Sequence, residues 1–165
     1  MKQSKRSKPD EEDARDPVRV RAVALRLLAR REHSTRELTS KLTARGYEQQ
    51  TVAAVIEALA DRNLVSDGRF VDEFVASRVR RGSGPVKIRE ELRSRGVAES
   101  LVDAALSEQR GEWLTNAEAV RRKRFGAPLP QDFAERAKQA RFLQQRGFSG
   151  EQIRQVLKGD VEFGD

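Results

Sequence analysis

Leu42-Thr43-Ala44-Arg45-Gly46-Tyr47, Leu92-Arg93-Ser94-Arg95-Gly96-Val97 and Leu143-Gln144-Gln145-Arg146-Gly147-Phe148 are one phrase written three times, with glycines 50 and then 51 residues apart. The correspondence extends outward. Val52, Val102 and Ile153 stand six residues after each glycine, and Ile56, Leu106 and Leu157 stand ten after. A period of this length denotes one supersecondary unit used repeatedly, so the chain is expected to be an array of three units. Each phrase has the form of a helix end. A helix that must reverse within a few residues often closes on a left-handed residue, which glycine adopts without steric cost. Arg45, Arg95 and Arg146 then fall in the last turn, where the helix dipole favours a cation. Capping with a packed aliphatic stem is the plainer reading of these arginines; contact with a phosphate or a partner is the sharper one.

Between the glycines the pattern is helical throughout, with no convincing strand. Pro17 suits a first helical position, and Val20, Val23, Ala24, Leu27 and Leu28 follow as a helical stripe. Ser34 and Glu37 form a capping box that opens a helix through Leu38 and Leu42 to Gly46, and Val52, Val55, Ile56 and Leu59 mark the third helix. The second unit begins near Asp67, with Phe70, Val71, Phe74 and Val75 as its first stripe. Gly84-Pro85 opens its middle helix, and Leu101, Val102, Ala105 and Leu106 complete it. The third unit is looser at its start. Trp113, Ala117 and Val120 lead to Phe125 and the Ala127-Pro128-Leu129-Pro130 break; Phe133, Ala137, Ala140 and Leu143 then run to Gly147, and Ser149 with Gln152 caps the last helix. The expected organisation is a disordered, self-neutralising leader over 1–16, three-helix repeats over 17–65, 66–110 and 111–159, and a frayed acidic tail over 160–165.

Composition bounds the function. The chain of 165 residues has no cysteine, which removes disulfides and thiolate metal sites and suits a reducing, cytoplasmic setting. Its longest apolar run, Val52 to Ile56, is far short of a membrane span. The net charge is +7 with 36% charged residues, which points to an acidic partner, nucleic acid first. The leader contributes nothing to this excess, since Lys2, Lys5, Arg6, Lys8 and Arg15 are balanced by Asp10, Glu11, Glu12, Asp13 and Asp16. The absence of a long heptad seam makes a monomer the default.

The excess gathers in two places. Arg78, Arg80, Arg81, Lys87, Arg89, Arg93 and Arg95 face only Glu90 and Glu91 in the same stretch. Arg89 and Arg93 share a helical face, and the glycines of Arg80-Arg81-Gly82-Ser83-Gly84 let backbone N–H groups approach an anion. Arg121, Arg122, Lys123 and Arg124 form the second cluster, before Phe125. These eleven residues are the candidates for contact with a polyanion; ordinary solvated surface, with Lys87 paired to Glu90 or Glu91, is the alternative. Neither cluster has interleaved aromatics, so base stacking is not suggested.

Catalysis finds little support, and no cofactor or metal is expected. His33 is the single histidine and belongs to the turn before Ser34. Asp67, Asp72 and Glu73 are the nearest approach to clustered carboxylates; Asp67 reads as part of a helix cap, and Asp72 and Glu73 as solvent-facing. No glycine-rich nucleotide loop is present.

Three segments carry a family resemblance: Ser66-Asp67-Gly68-Arg69-Phe70, Gly84-Pro85-Val86-Lys87-Ile88-Arg89-Glu90-Glu91-Leu92 and Arg141-Phe142-Leu143-Gln144-Gln145-Arg146-Gly147-Phe148. In order and spacing, over roughly Val18 to Lys158, they resemble RecX, the bacterial regulator of the RecA recombinase. Ser66 departs from the Asp common in the family. The resemblance implies an all-α protein of three tandem three-helix, helix-turn-helix-like repeats forming a curved, elongated array. It implies binding to RecA filaments on DNA, and mostly inhibition of recombinase, ATPase and coprotease activities. The implied partners are the RecA filament and, weakly and electrostatically, single- and double-stranded DNA. Two other readings are compatible with the repeats themselves: a general helix-turn-helix-like DNA-binding protein, and a protein-binding helical scaffold without DNA affinity.

Overall fold

A computed structural model describes residues 9–158, and all regular structure among them is helical. Helices α1 (Glu11–Arg15), α2 (Pro17–Leu28), α3 (Thr35–Thr43), α4 (Gln49–Asp61), α5 (Asp67–Arg80), α6 (Pro85–Ser94), α7 (Glu99–Glu108), α8 (Trp113–Phe125), α9 (Phe133–Arg146) and α10 (Gly150–Lys158) follow in order, with a 3-10 turn at Arg110–Glu112 before α8. After α1 this is three helices for each of the three phrases. Residues 1–8 and 159–165 lie outside the described residues, and with them half of the expected disordered leader and all of the expected frayed tail.

The rest of the leader is ordered, contrary to the expectation. Its charges are not merely balanced but sorted along a helix: Asp10 accepts from Asp13 N at 2.8 Å, Glu11, Glu12 and Asp13 fill the first turn, and Arg15 lies in the last. Each charge faces the helix pole that favours it. Tertiary contacts then hold the short helix, as Glu48 N donates to Ala14 O at 2.9 Å and Arg15 lies 3.5 Å from the Glu48 carboxylate.

The chain divides into two compact units, one running to Phe70 and including Arg95–Val97, the other comprising Val71–Ser94 and the chain from Ala98. In the first, α2 and α3 pack on α4 around Val20, Ala24, Leu27, Leu38, Leu42, Val52, Val55, Ile56, Leu59 and Val65, with Tyr47 against the edge. Ser34 caps α3 through Glu37 N at 3.1 Å, but the box closes on that side only, because the Glu37 carboxylate turns to Arg31 and Arg95. Asp67 is a cap, though for a different helix from its own. It accepts from Thr35 N at 2.7 Å and Thr35 Oγ1 at 3.1 Å at the start of α3, while Ser66 Oγ accepts from Arg69 N in the first turn of α5.

In the second unit α8, α9 and α10 pack on one another and α6 packs on α7. Its buried side chains include Ile88, Leu92, Val102, Trp113, Ala117, Leu143, Ile153 and Leu157. The Ser149–Gln152 box closes in both directions, at 3.2 and 2.8 Å. One expected stripe fails at its first position, although Leu143 at its end is buried. Phe133 is 86% exposed, and the buried position eight residues before Gly147, where Leu38 and Ile88 stand before Gly46 and Gly96, holds Gln139.

The three glycines all take positive φ (Gly46 96°, Gly96 70°, Gly147 90°), as a left-handed helix end requires. Gly147 is constrained further. A Cβ there would overlap Lys87 Cβ, and the turn is sewn to the start of α6 by Gly84 N donating to Arg146 O at 2.7 Å and Val86 N to Gly147 O at 3.0 Å. In the first unit the Gly96 turn meets the start of α3 through side chains alone, the end of Arg36 and the Arg95–Glu37 ion pair. At Gly96 and Gly147 the repeated phrase is therefore both a helix terminator and a turn held against residues at the start of α3 and of α6 respectively.

Candidate polyanion-binding surface

Folding brings acids onto four of the seven basic residues in the middle stretch. Arg78 Nε lies 2.7 Å from the Glu91 carboxylate, with its guanidinium 4.5 Å from the centre of the Phe74 ring. Arg89 pairs with Glu99 and, at 2.6 Å, with Asp103; Arg93 reaches Glu99 at 2.8 and 3.1 Å. These two arginines and two acids from the start of α7 make a neutral quartet on the surface. Hydrogen bonds donated to Asp103 and Glu99 raise the Arg89 pKa, those donated to Glu99 raise that of Arg93, and the two guanidiniums, Arg93 foremost, hold the Glu99 carboxyl below its ordinary range. Arg95 is committed to Glu37. Only Arg80, Arg81 and Lys87 have no acidic partner among the described residues, and all three are exposed.

The second cluster separates more sharply. Arg121 has no exposed side-chain surface. Its guanidinium bonds both Glu118 oxygens at 3.0 Å, the Ala127 and Pro128 carbonyls at 3.1 Å and Gln139 Oε1 at 3.4 Å. Every nitrogen of the fork has a partner, so the burial is compensated. Arg121 is thus a fastener of the loop before α9, not a surface contact, and it explains why Gln139 replaces an aliphatic residue. Arg122 lies 3.9 Å from Glu118 and stays 58% exposed; Lys123 and Arg124 are exposed.

Aromatic rings enter this surface, which the sequence clusters did not suggest. Phe125 and Phe142 are half-buried and meet edge to face, with centres 5.2 Å apart at 89°. Arg124 and Lys138 lie 5.4 and 5.8 Å from the centre of the Phe125 ring, and Arg146 lies 5.4 Å from that of Phe142. Arg146 also donates to Arg81 O at 3.2 Å, joining the ring pair to the Gly82 turn. The signal was present as Lys138, Phe142 and Arg146 at spacings of four, one face of a helix; the local clusters hid it because half of the group comes from α8.

His33 is a packed turn residue. It is 2% exposed, and its Nδ1 donates to Arg31 O at 3.0 Å. Burial lowers its pKa against the opposing effect of that hydrogen bond, with the charges of Arg31 and Lys41 adding to the depression. Burial alone would raise the Glu37 carboxyl, but hydrogen bonds and charge from Arg31 and Arg95 outweigh it and hold the group low. Among the described residues no group of three or more His, Asp or Glu side chains is placed to hold a metal ion, and no helix is long and apolar enough to cross a membrane.

Comparison with known proteins accounts for nearly the whole described chain. Residues 21–59, 66–106 and 111–157 match the first, second and third three-helix domains of RecX. The Regulatory protein RecX of Halorhodospira halophila is 53% identical over 135 residues, covering 82% of this chain and 84% of that protein. That of Pseudomonas fluorescens (strain SBW25) is 45% identical over 142 residues, covering 86% and 92%. The crystal structure of RecX from Lactobacillus salivarius shares the fold at 18% identity, with a TM-score of 0.76 over 90% of this chain and 97% of that one. The three positive-φ glycine turns, the three matched domains and this identity across most of both sequences have one reading: the chain belongs to the RecX family of regulatory proteins.

Proposed function

We propose that this protein regulates RecA recombinase by binding RecA filaments assembled on DNA, and that it mostly inhibits their recombinase, ATPase and coprotease activities. It would thereby act on homologous recombination, DNA repair and the SOS response. The observation that carries the reading is membership of the RecX family through all three of its three-helix domains. The net charge of +7 suits a partner that is itself a polyanion–protein complex. Arg80, Arg81, Lys87, Arg122, Lys123 and Arg124 are the proposed contacts, since they are exposed and the first three have no acidic partner among the described residues. Docking on filament DNA or acidic RecA surface would bridge adjacent protomers or block the next from adding. The test is RecA ATP hydrolysis on single-stranded DNA with this protein titrated in. Inhibition well below one molecule per RecA supports the reading; full ATPase at saturating folded protein refutes it.

A further inference from the structure

We propose that the stripe Arg124–Phe125–Phe142–Lys138–Arg146 of the second unit is a binding site for single-stranded nucleic acid, about three to four nucleotides long. The inference deepens the function proposed above by naming the ligand of one surface, and it rests on that reading only in supposing that a filament presents such strands. Three cations lie around one edge-to-face ring pair, at 5.4, 5.8 and 5.4 Å from ring centres. Lys138 has a 3.4 Å pair with Glu135 and stays 60% exposed; Arg124 and Arg146 are exposed with no acidic partner among the described residues. Lys138 and Arg146 are eight residues apart on α9, a span of about 12 Å. A stacked strand carries one phosphate per roughly 3.4 Å, which sets the length.

The rings decide the class of ligand. Single strands are held by cations that follow the backbone together with aromatic rings or guanidinium planes on which unpaired bases stack. A duplex keeps its bases stacked on one another and gains nothing from Phe142. A protein carboxylate has no base to offer. The cations are also poised, because a guanidinium resting over a ring, and in Arg146 bonded to Arg81 O at 3.2 Å, loses less freedom on binding than one in open solvent.

The test is fluorescence anisotropy of a labelled oligothymidylate with the full chain, without RecA, across a salt series. The double variant Arg124→Gln, Lys138→Gln removes two exposed cations and should flatten the log–log salt slope by about 1.4, two phosphates at roughly 0.7 each for single strands. Phe142→Leu should weaken binding about thirtyfold, the middle of the range for one lost stacking partner, with the slope unchanged. Circular dichroism of each variant must match the parent; Phe142→Tyr, which keeps the ring, should restore the affinity. A slope unmoved by the double variant, or Phe142→Leu binding as tightly as the parent, overturns the site. A duplex of equal length bound as tightly as the single strand, or polyglutamate competing as well as the oligonucleotide, overturns the single-strand assignment. Because RecA is absent, failure here leaves ATPase inhibition standing, and binding here without ATPase inhibition refutes the regulatory reading alone.

Discussion

Replacing Arg121 by Met should be the most damaging single change to a charged residue in the second unit. The side chain has no exposed surface, and Met fills much of its volume while leaving four acceptors behind: the Ala127 and Pro128 carbonyls, Gln139 Oε1 and the Glu118 carboxylate. Removing one partner of a buried ion pair costs about 3–5 kcal/mol. Glu118 is 27% exposed and can recover some hydration, so about 3 kcal/mol is the expected loss. At 4–8 °C per kcal/mol for a unit of this size, the midpoint should fall by about 12–24 °C. Trp113 is the only tryptophan, 4% exposed in the second unit, and Tyr47 is the only tyrosine, half-buried in the first. Urea unfolding followed by tryptophan fluorescence therefore reports the damaged unit directly. Arg121→Lys keeps the charge but offers three donors from one point, so it should lose about 2 kcal/mol. The variant Glu118→Leu, Arg121→Met, Gln139→Leu removes the network together and should regain at least half of the single-variant loss. An Arg121→Met loss under about 1 kcal/mol, or a triple variant less stable than the single one, would refute the assignment of Arg121 as a buried fastener.

Gly147→Ala should destabilise the second unit by more than about 2 kcal/mol, since a left-handed conformation costs about 1–2 kcal/mol and the new Cβ meets Lys87 backbone as well as side chain; urea midpoints by tryptophan fluorescence check this. Gly96→Ala meets only the movable end of Arg36 and should cost about 1 kcal/mol, so equal losses would contradict the difference between the turns. Acid should weaken the first unit in two stages. His33 has a depressed pKa, so its contribution is full above its ordinary 6.5 and is lost as pH falls below that value. Glu37 is likewise depressed, and its contribution is lost as pH falls below its ordinary 4.5; far-UV circular dichroism melts of His33→Gln should flatten only the upper stage. Finally, Arg89→Glu with Arg93→Glu should lower the stability of the second unit by setting carboxylates against Glu99 and Asp103, and Glu99→Lys with Asp103→Lys should restore it in the same thermal melt.

The repeat was legible because its constraint is local. A positive-φ helix end needs glycine at one position, and the residues six and ten beyond it face the same core in each copy, as burial of Val52, Val102 and Ile153 bears out. What the sequence left obscure was wherever one repeat abandoned the common solution. Phe133 continued an apolar rhythm that the structure does not use, because α9 buries Gln139 against Arg121 in place of an aliphatic pair. Periodicity sees an apolar residue on a face; it does not see that the neighbouring helix has brought a guanidinium to that face and that only a polar residue can answer it.

Charge was legible as a total and misleading as a map. The middle stretch ends at Arg95, four residues before Glu99, so a count along the chain assigns to Arg89 and Arg93 an excess that α7 cancels in space. Exposed pairs of this kind add little stability, about 0–1 kcal/mol, but they matter for recognition, since a polyanion must displace Glu99 and Asp103 before it gains either arginine. The cations that cost least to recruit are those whose neighbours are rings or glycines. By that criterion the weight moves from the Arg89 face of α6 to Arg81, Arg124 and Arg146, which the fold gathers from three helix ends. Arg81→Gln should therefore weaken oligothymidylate binding more than Arg93→Gln, although Arg93 lies in the same run of charge. A larger loss from Arg93→Gln in the same salt series would mean that ion pairing within the protein does not decide which arginines are available.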